Sequence, residues 1–190
     1  IWGSLMPDRL NRIITRGGDK GETSLGDGAR VAKTDPRIAL LGDVDELNAF
    51  IGAALAEGLS ADVADMLTLA QHDLFDLGGA LCFPGAPVLT QPHVARIDAA
   101  GVRLNEGLAP LKEFILPGGS RALGALHVAR TVCRRVERAA VGFFQQEAGG
   151  EFAIAYLNRL SDFLFIAARA EAKSTGASEI LWRKTNSLNG

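Results

Sequence analysis

The apolar positions of this chain fall into five stretches with a three-to-four-residue period, separated by short polar breaks. Asp35-Pro36 opens the first: aspartate caps a helix, and proline suits a first turn where no N–H partner is required. The stripe Ile38, Leu41, Val44, Ile51 and Leu55 carries this helix to about Glu57, before Gly58. Asp45 and Asn48 fall inside that stripe. A carboxylate on an apolar face either finds a partner or lies at a wet edge, and spacing leaves both readings open. Ser60 caps a second helix over 61–82, with Val63, Met66, Leu67, Leu74, Leu77 and Leu81 inward. Pro84, Gly85 and Pro87 make 82–90 a loop. A third helix follows Gln91-Pro92 to about Leu108, on the weaker signal of Val94, Ile97, Val102, Leu104 and Leu108. Ser120 starts a fourth over about 121–147. After Gly149-Gly150 a fifth spans about 152–174 and stops at Gly176. No strand is convincing. The pattern predicts an all-α bundle of five helices.

Two of these helices carry polar strips. On the fourth, Ala125, Leu126, Val128, Ala129, Val132, Cys133, Val136 and Ala140 form a broad apolar arc, with His127, Arg130, Arg134, Glu137 and Arg138 on a narrow arc opposite. A solvated face with i,i+4 ion pairs would account for many such strips. Here the like charges of Arg130, Arg134 and Arg138 repel unless something anionic lies across them, which points to a phosphate or carboxylate partner. On the fifth helix, Asn158, Asp162 and Arg169 run along one side of the face carrying Leu157, Leu160, Phe163, Leu164 and Ala168.

Before the bundle lies Thr15-Arg16-Gly17-Gly18-Asp19-Lys20-Gly21-Glu22-Thr23-Ser24. Its glycines let bare N–H groups approach a ligand, and successive N–H groups in such turns make concave anion sites. Arg16 and Lys20 add charge; Thr15, Thr23 and Ser24 add hydroxyls. The G-x-x-x-x-G-K-[ST] spacing of a Walker A loop is absent, and taken alone the stretch reads as a solvated arm with mobile glycines. Ile13-Ile14 and Val31 are isolated apolar points, so 13–33 is an arm anchored at few places and closed by Lys33. Phe114-Ile115-Leu116 precede the turn Pro117-Gly118-Gly119; core is the default reading, a wall offered to a flat ligand the other.

Composition narrows the partners. At 190 residues one domain is expected, with 34–176 as the bundle and 177–190 as a tail. Residues 1–12 are expected to be disordered or foreign to the natural chain, with Met6 a natural start. A net charge of −2 supplies no global basic field for nucleic acid. Cys82 and Cys133 form no C-x-x-C, and His72, His93 and His127 no H-x-x-x-H, so neither a structural zinc nor a disulfide is expected. No apolar run approaches the ~18–20 residues of a membrane span. A cytoplasmic protein with neither nucleic-acid nor membrane partners is the expectation.

Five motifs in order then carry a resemblance. They are Thr15-Arg16-Gly17-Gly18-Asp19-Lys20-Gly21; Gly42-Asp43-Val44-Asp45-Glu46-Leu47-Asn48; Phe114-Ile115-Leu116-Pro117-Gly118-Gly119; His127-Val128-Ala129-Arg130 with Arg134-Arg135-Val136-Glu137-Arg138; and Asn158-Arg159-Leu160-Ser161-Asp162. In this order and spacing, from about Ile13 to about Lys184, the chain closely resembles the PduO-type ATP:cob(I)alamin adenosyltransferases. Gly17 stands where threonine or asparagine is commoner. The D-x-H-x-x-G signature of B12-dependent mutases is absent, so no histidine is expected to ligate cobalt.

The resemblance implies a ferritin-like up-down bundle of five helices that assembles as a homotrimer with active sites between subunits. It implies transfer of the 5′-deoxyadenosyl group of ATP to cob(I)alamin, giving adenosylcobalamin and triphosphate. Magnesium would come with ATP, with no protein ligand assigned to it. The ATP site would fall on Thr15, Arg16, Gly17, Gly18, Thr23, Ser24 and Lys33 of the arm, on Arg134, Arg135, Val136, Glu137 and Arg138, and on Asn158. Phe114 and Asp162 would meet the cobalamin, Phe114 helping to remove the lower axial ligand from cobalt. Asp45 would pair with Arg130 across the subunit boundary, and these two with Arg134 and Phe114 form the implied catalytic set. A cobalamin reductase and a B12-dependent mutase are the implied partners. Two other readings remain at this point: a helical ATP-dependent phosphotransferase or ATPase, and a non-catalytic nucleotide sensor or cofactor escort.

Overall fold

The computed structural model describes residue 14 and residues 16–86 and 89–184. Five helices make up the body: α1 Pro36–Ala56, α2 Ala61–Cys82, α3 Gln91–Glu106, α4 Arg121–Phe144 and α5 Glu151–Thr175. The expected all-α bundle is therefore found, with α3 and α4 ending two and three residues earlier than periodicity suggested. Local chemistry explains most of the ends. The Asp35 carboxylate accepts the Arg37 N–H at 2.8 Å, and Ser120 Oγ accepts the Leu123 N–H at 3.3 Å. Thr90 and His93 cap α3 reciprocally. Gly176 closes α5 in the left-handed conformation, φ 70°. Ser60 sits at the expected start of α2 but does not cap it. Its hydroxyl and N–H donate instead to the buried Glu171 carboxylate of α5, at 2.5 and 2.9 Å.

In the bundle α1 lies between α2 and α4, α4 between α1 and α5, and α5 between α4 and α3. The core is built from Leu40, Val44, Leu47 and Ile51 of α1, Leu67 and Leu74 of α2, Leu126 and Val136 of α4, and Leu157, Leu160 and Leu164 of α5. Burying each large aliphatic side chain is worth roughly 1.5–3 kcal/mol, before the entropy of ordering is counted. Buried alanines line both members of the most closely packed pair: Ala129 and Ala140 on α4, Ala153, Ala167 and Ala168 on α5. One polar knot crosses the core. Asp73 of α2 accepts the Tyr156 hydroxyl of α5 at 2.7 Å and two bonds from Arg96 Nη2 of α3 at 2.5 and 2.6 Å. That pairing holds the Arg96 guanidinium above its ordinary pKa.

Several inward assignments need correction. Val102 and Val128 are exposed, whereas His127 and Arg169, both assigned to polar strips, are buried. Leu40 and Leu47, outside the expected stripe, are core, because α1 is covered on two sides and so is apolar over much of its circumference.

The expectation of no strand also fails. The arm holds a hairpin, β1 Glu22–Ser24 and β2 Arg30–Ala32, antiparallel, with Glu22 opposite Ala32, Thr23 opposite Val31 and Ser24 opposite Arg30. Strands of three residues are too short to show a period. The legible cue was Asp27-Gly28, a hairpin-turn dipeptide: Gly28 takes φ 90° and Asp27 Oδ1 accepts the Ala29 N–H at 2.9 Å. The arm's anchor was also overlooked. Leu25 is buried, and the Gly26 N–H donates to the Cys82 carbonyl at 2.8 Å. A Cβ at Gly26 would run into the Phe83 ring, so only glycine allows this approach.

Candidate functional site

On α4, Arg134 and Arg138 are exposed one turn apart, and Arg138 Nη1 donates to the Arg134 carbonyl at 3.0 Å. One carboxylate lies beside Arg134. Glu137 Oε2 lies 4.0 Å from Arg134 Nη1, while Glu137 Oε1 accepts Asn158 Nδ2 of α5 at 2.9 Å. Asn158 is held in turn by Arg159, whose Nη1 donates to Asn158 Oδ1 at 2.8 Å. Arg135 leaves the strip to pair with Glu46 of α1. Val136 contributes no side chain, being fully buried in the core. The predicted group Arg134, Glu137, Arg138 and Asn158 is thus brought together, with more positive charge than its own carboxylate can balance.

Deeper on the same helix, Arg130 is half-buried and its Nε has no acceptor among the described residues. Its guanidinium lies 6.0 Å from the centre of the Phe165 ring. Burial, and then the neighbouring Arg134 cation, lower its pKa. His127 is 7% exposed and its Nδ1 has no partner among the described residues. Burial first, then the Arg130 charge, push its imidazole below the ordinary range. It is a neutral wall residue rather than a member of the exposed strip.

Asp45 is exposed on α1 and forms no ion pair among the described residues. Of the two readings left open, the wet edge describes the single chain. The carboxylate borders an apolar groove of about 590 Å³ lined by Ile38, Leu41, Phe75 and Phe83. Asn48 is buried there, with Nδ2 donating to the Gln71 carbonyl at 3.2 Å.

In the arm, Arg30 ties the loop to the hairpin, donating to the Gly17 carbonyl at 2.9 Å and Ser24 Oγ at 3.2 Å. The sequence reading missed this residue, which sits one strand away from the glycine motif. Lys33 folds back: its N–H donates to the Gly21 carbonyl at 2.8 Å, and a Cβ at Gly18 would stand 2.9 Å from its Nζ. Gly17, Gly18, Thr23, Ser24 and Lys33 are therefore neighbours on one small structure, with Arg16 entering it at φ 57°. Thr15 lies outside the described residues. The two strands pair with each other, neither approaches α4, and the loop between them meets the end of α2 through Gly26 and Cys82.

Phe114 is 77% exposed, so the core reading fails for it. Its segment pairs with the tail as an isolated antiparallel bridge: the Leu116 N–H donates to the Ile180 carbonyl at 2.8 Å, and the Trp182 N–H to the Phe114 carbonyl at 2.7 Å. The Phe114 and Trp182 rings meet edge to face, 6.5 Å apart. After Pro117 the backbone turns through Gly119 at φ 108°, where a Cβ would also stand 2.8 Å from Leu123. Behind the loop is a cavity of about 220 Å³ lined by Ile115, Leu123, His127 and Ala168 among others. Asp162 is exposed on α5.

Among the described residues, Asp73, Asp76 and His93 bring potential metal ligands within 4.8 Å of one another. Asp73 is already occupied by Arg96 and Tyr156, so this cluster is a structural knot. No helix among the described residues is long and apolar enough to cross a membrane.

Comparison with known proteins follows the same residues. The family model for cobalamin adenosyltransferase matches residues 13–171. The chain is 51% identical over 180 residues to a cobalamin adenosyltransferase of Cupriavidus metallidurans, covering 94% of this chain and 98% of the relative. It is 45% identical over 188 residues to a corrinoid adenosyltransferase of Mycobacterium tuberculosis, covering 94% and 96%. Its fold is similar to that of a variant PduO-type ATP:corrinoid adenosyltransferase from Lactobacillus reuteri complexed with cobalamin and ATP, with a TM-score of 0.82 and 32% identity over 91% of this chain and 100% of that one. Five ordered motifs, the helical bundle and these matches over most of the chain lead to one conclusion: the chain belongs to the PduO-type cobalamin adenosyltransferase family.

Proposed function

We propose that this chain adenosylates cobalamin with ATP, moving the 5′-deoxyadenosyl group to cob(I)alamin and releasing triphosphate. The cobalt lone pair attacks C5′, the C5′–O5′ bond breaks, and the triphosphate leaves with the electron pair. Cob(I)alamin is itself a strong nucleophile, so the protein needs no Ser, Cys or His nucleophile. What remains is to hold C5′ in line with cobalt and to stabilise the anionic leaving group. The observation that carries the reading is the cationic strip of Arg134 and Arg138 with Glu137 braced by Asn158.

On this reading the triphosphate lies on that strip and on the N–H groups and Lys33 of the arm. Cations outnumber carboxylates here: Glu137 is engaged by Asn158 and Arg134, and Glu22 of the arm by Arg30, which fits phosphates carrying their own magnesium. Magnesium, when bound, would supply further neutralisation of the leaving group. No strand of the hairpin approaches α4 of its own chain, and Gly26 ties the hairpin loop to Cys82 at the end of α2, so a complete site would need the arm of one copy against the α4 strip of another. Asp45 lacks a cation and Arg130 Nε lacks an acceptor, so pairing between copies would satisfy both. Such a head-to-tail contact gives a ring when its rotation closes, and a homotrimer is the proposed form. Phe114 and Asp162 would face the corrin, the Phe114 ring displacing the lower ligand. Four-coordinate cobalt is easier to reduce, since losing the axial donor lowers the accepting orbital. A cytoplasmic enzyme fed by a cobalamin reductase and serving a B12-dependent mutase is the corresponding setting.

The test is a spectral assay with MgATP and chemically reduced cobalamin, with analysis of the phosphate product. Conversion to adenosylcobalamin with intact triphosphate is the expected result. Release of orthophosphate or diphosphate, or no turnover, would replace this reading with a phosphotransferase or an escort protein.

A further inference from the structure

Phe114 stands on a segment with no regular structure of its own. Between Glu106, where α3 ends, and Arg121, where α4 begins, almost every residue is exposed. Such a segment cannot hold a ring in one direction by burial. Its order has to come from bonds, and those bonds converge on one side chain. Arg169 of α5 is 9% exposed. Its Nη2 donates to the Ala109 carbonyl at 2.8 Å, at the start of the segment. Its Nε donates to Glu179 Oε1 at 3.1 Å, in the tail. The tail in turn pairs with the segment on both sides of Ile115, through the Leu116–Ile180 and Trp182–Phe114 backbone bonds. Trp182 also sets its ring edge to face with Phe114.

We propose that Arg169 and Glu179 are positioning residues for Phe114: one buried guanidinium holds both strands of the two-stranded strip on which that ring stands. The planar fork of arginine suits this task, since it donates in two fixed directions at once. A lysine or an apolar residue at this position could hold one strand or neither. The arrangement also explains a buried cation on α5, because both of its hydrogen bonds run to pieces of chain outside the bundle. The inference rests on Phe114 having the role proposed above.

Glu179→Ala in the full-length chain separates the two ideas, since Glu179 is only partly buried and its loss leaves the bundle core untouched. In the protein without substrates, hydrogen exchange at the Leu116 and Trp182 amides should speed up about tenfold, the change expected when one charge-assisted hydrogen bond is lost. With MgATP and cob(II)alamin, the four-coordinate cobalt signal should fall by about the same factor. ATP affinity and core amide exchange should not move. Glu179→Gln, which keeps an acceptor for Arg169 Nε, should restore part of both signals. Unchanged exchange at Leu116 and Trp182 would overturn the inference. So would an intact four-coordinate signal in Glu179→Ala when Phe114→Ala abolishes it. If Phe114→Ala itself keeps the full signal, the reading of Phe114 fails, and the exchange measurement alone decides whether Arg169 and Glu179 hold the segment.

Discussion

Asn158 donates to the Glu137 carboxylate across the α4–α5 contact at 2.9 Å, and the second oxygen of that carboxylate lies 4.0 Å from Arg134. Three side chains on two helices therefore act as one unit. Asn158→Ala and Glu137→Ala should each raise KM for ATP about tenfold, the scale of a lost hydrogen bond to a charged group. The double variant should be less impaired than the product of the two, as is usual for contacting residues. Steady-state kinetics with ATP as the varied substrate checks this. Multiplicative effects would mean that the two residues serve the nucleotide separately.

Asp45 and Arg130 form no ion pair within the described residues of one chain, and each lacks what the other carries. Asp45→Asn should shift sedimentation toward smaller species and lower activity together. Removing one partner of a buried ion pair typically costs about 3–5 kcal/mol. Asp45→Asn combined with Arg130→Leu should destabilise the assembly by less than the sum. Strict additivity in that cycle, or a fully active monomer, would show that the two residues do not meet.

The exposure of Phe114, at 77%, makes its truncation informative. Phe114→Ala should leave the melting temperature nearly unchanged, because exposed substitutions stay within about 0.5 kcal/mol whereas core phenylalanines cost about 3–5. ATP affinity should hold, since the proposed phosphate contacts are made by other residues. Turnover should fall sharply. Normal turnover in a normally stable variant would assign the ring no part in the chemistry.

His127 gives the fold a pH dependence of definite sign. Its folded-state pKa lies below the unfolded value of about 6.5, because burial and then the Arg130 cation disfavour the charged imidazole. As pH falls, the unfolded chain therefore takes up the proton first. Stability from this site is full above about pH 6.5 and declines as pH drops below it. Denaturant melts between about pH 5 and 7.5 should show that decline in the natural protein and a flatter profile in His127→Gln. Equal slopes would mean that the His127 pKa is the same in both states.

Much of this molecule was legible before any coordinates. Asp35-Pro36, Ser120 and Gly176 mark helix ends through contacts made within a few residues, and a 3.6-residue period records which side of a helix avoids water. The motifs of the arm, of α4 and of α5 were visible for the same local reason. Periodicity cannot say what lies against a face. His127 and Arg169 were placed on polar strips because they are polar, yet each is buried where α4 or α5 meets the loops at 109–119 and 177–182, a meeting set by how the chain crosses itself. For Phe114, large and apolar before a turn, local pattern made core the default and a wall for a flat ligand the alternative; the structure excludes core, because its segment has no opposing layer and the tail bridges its backbone without covering its ring. The hairpin was missed because three residues carry no period, and its anchor because one leucine and one glycine gain meaning only against Cys82 and Phe83, more than fifty residues away. Sequence by itself determined the helices, most of their ends and the chemical inventory, all of which depend on near neighbours. Tertiary structure alone decided which charges are left without partners and which aromatic ring stays exposed, because both depend on contacts between residues distant in the chain.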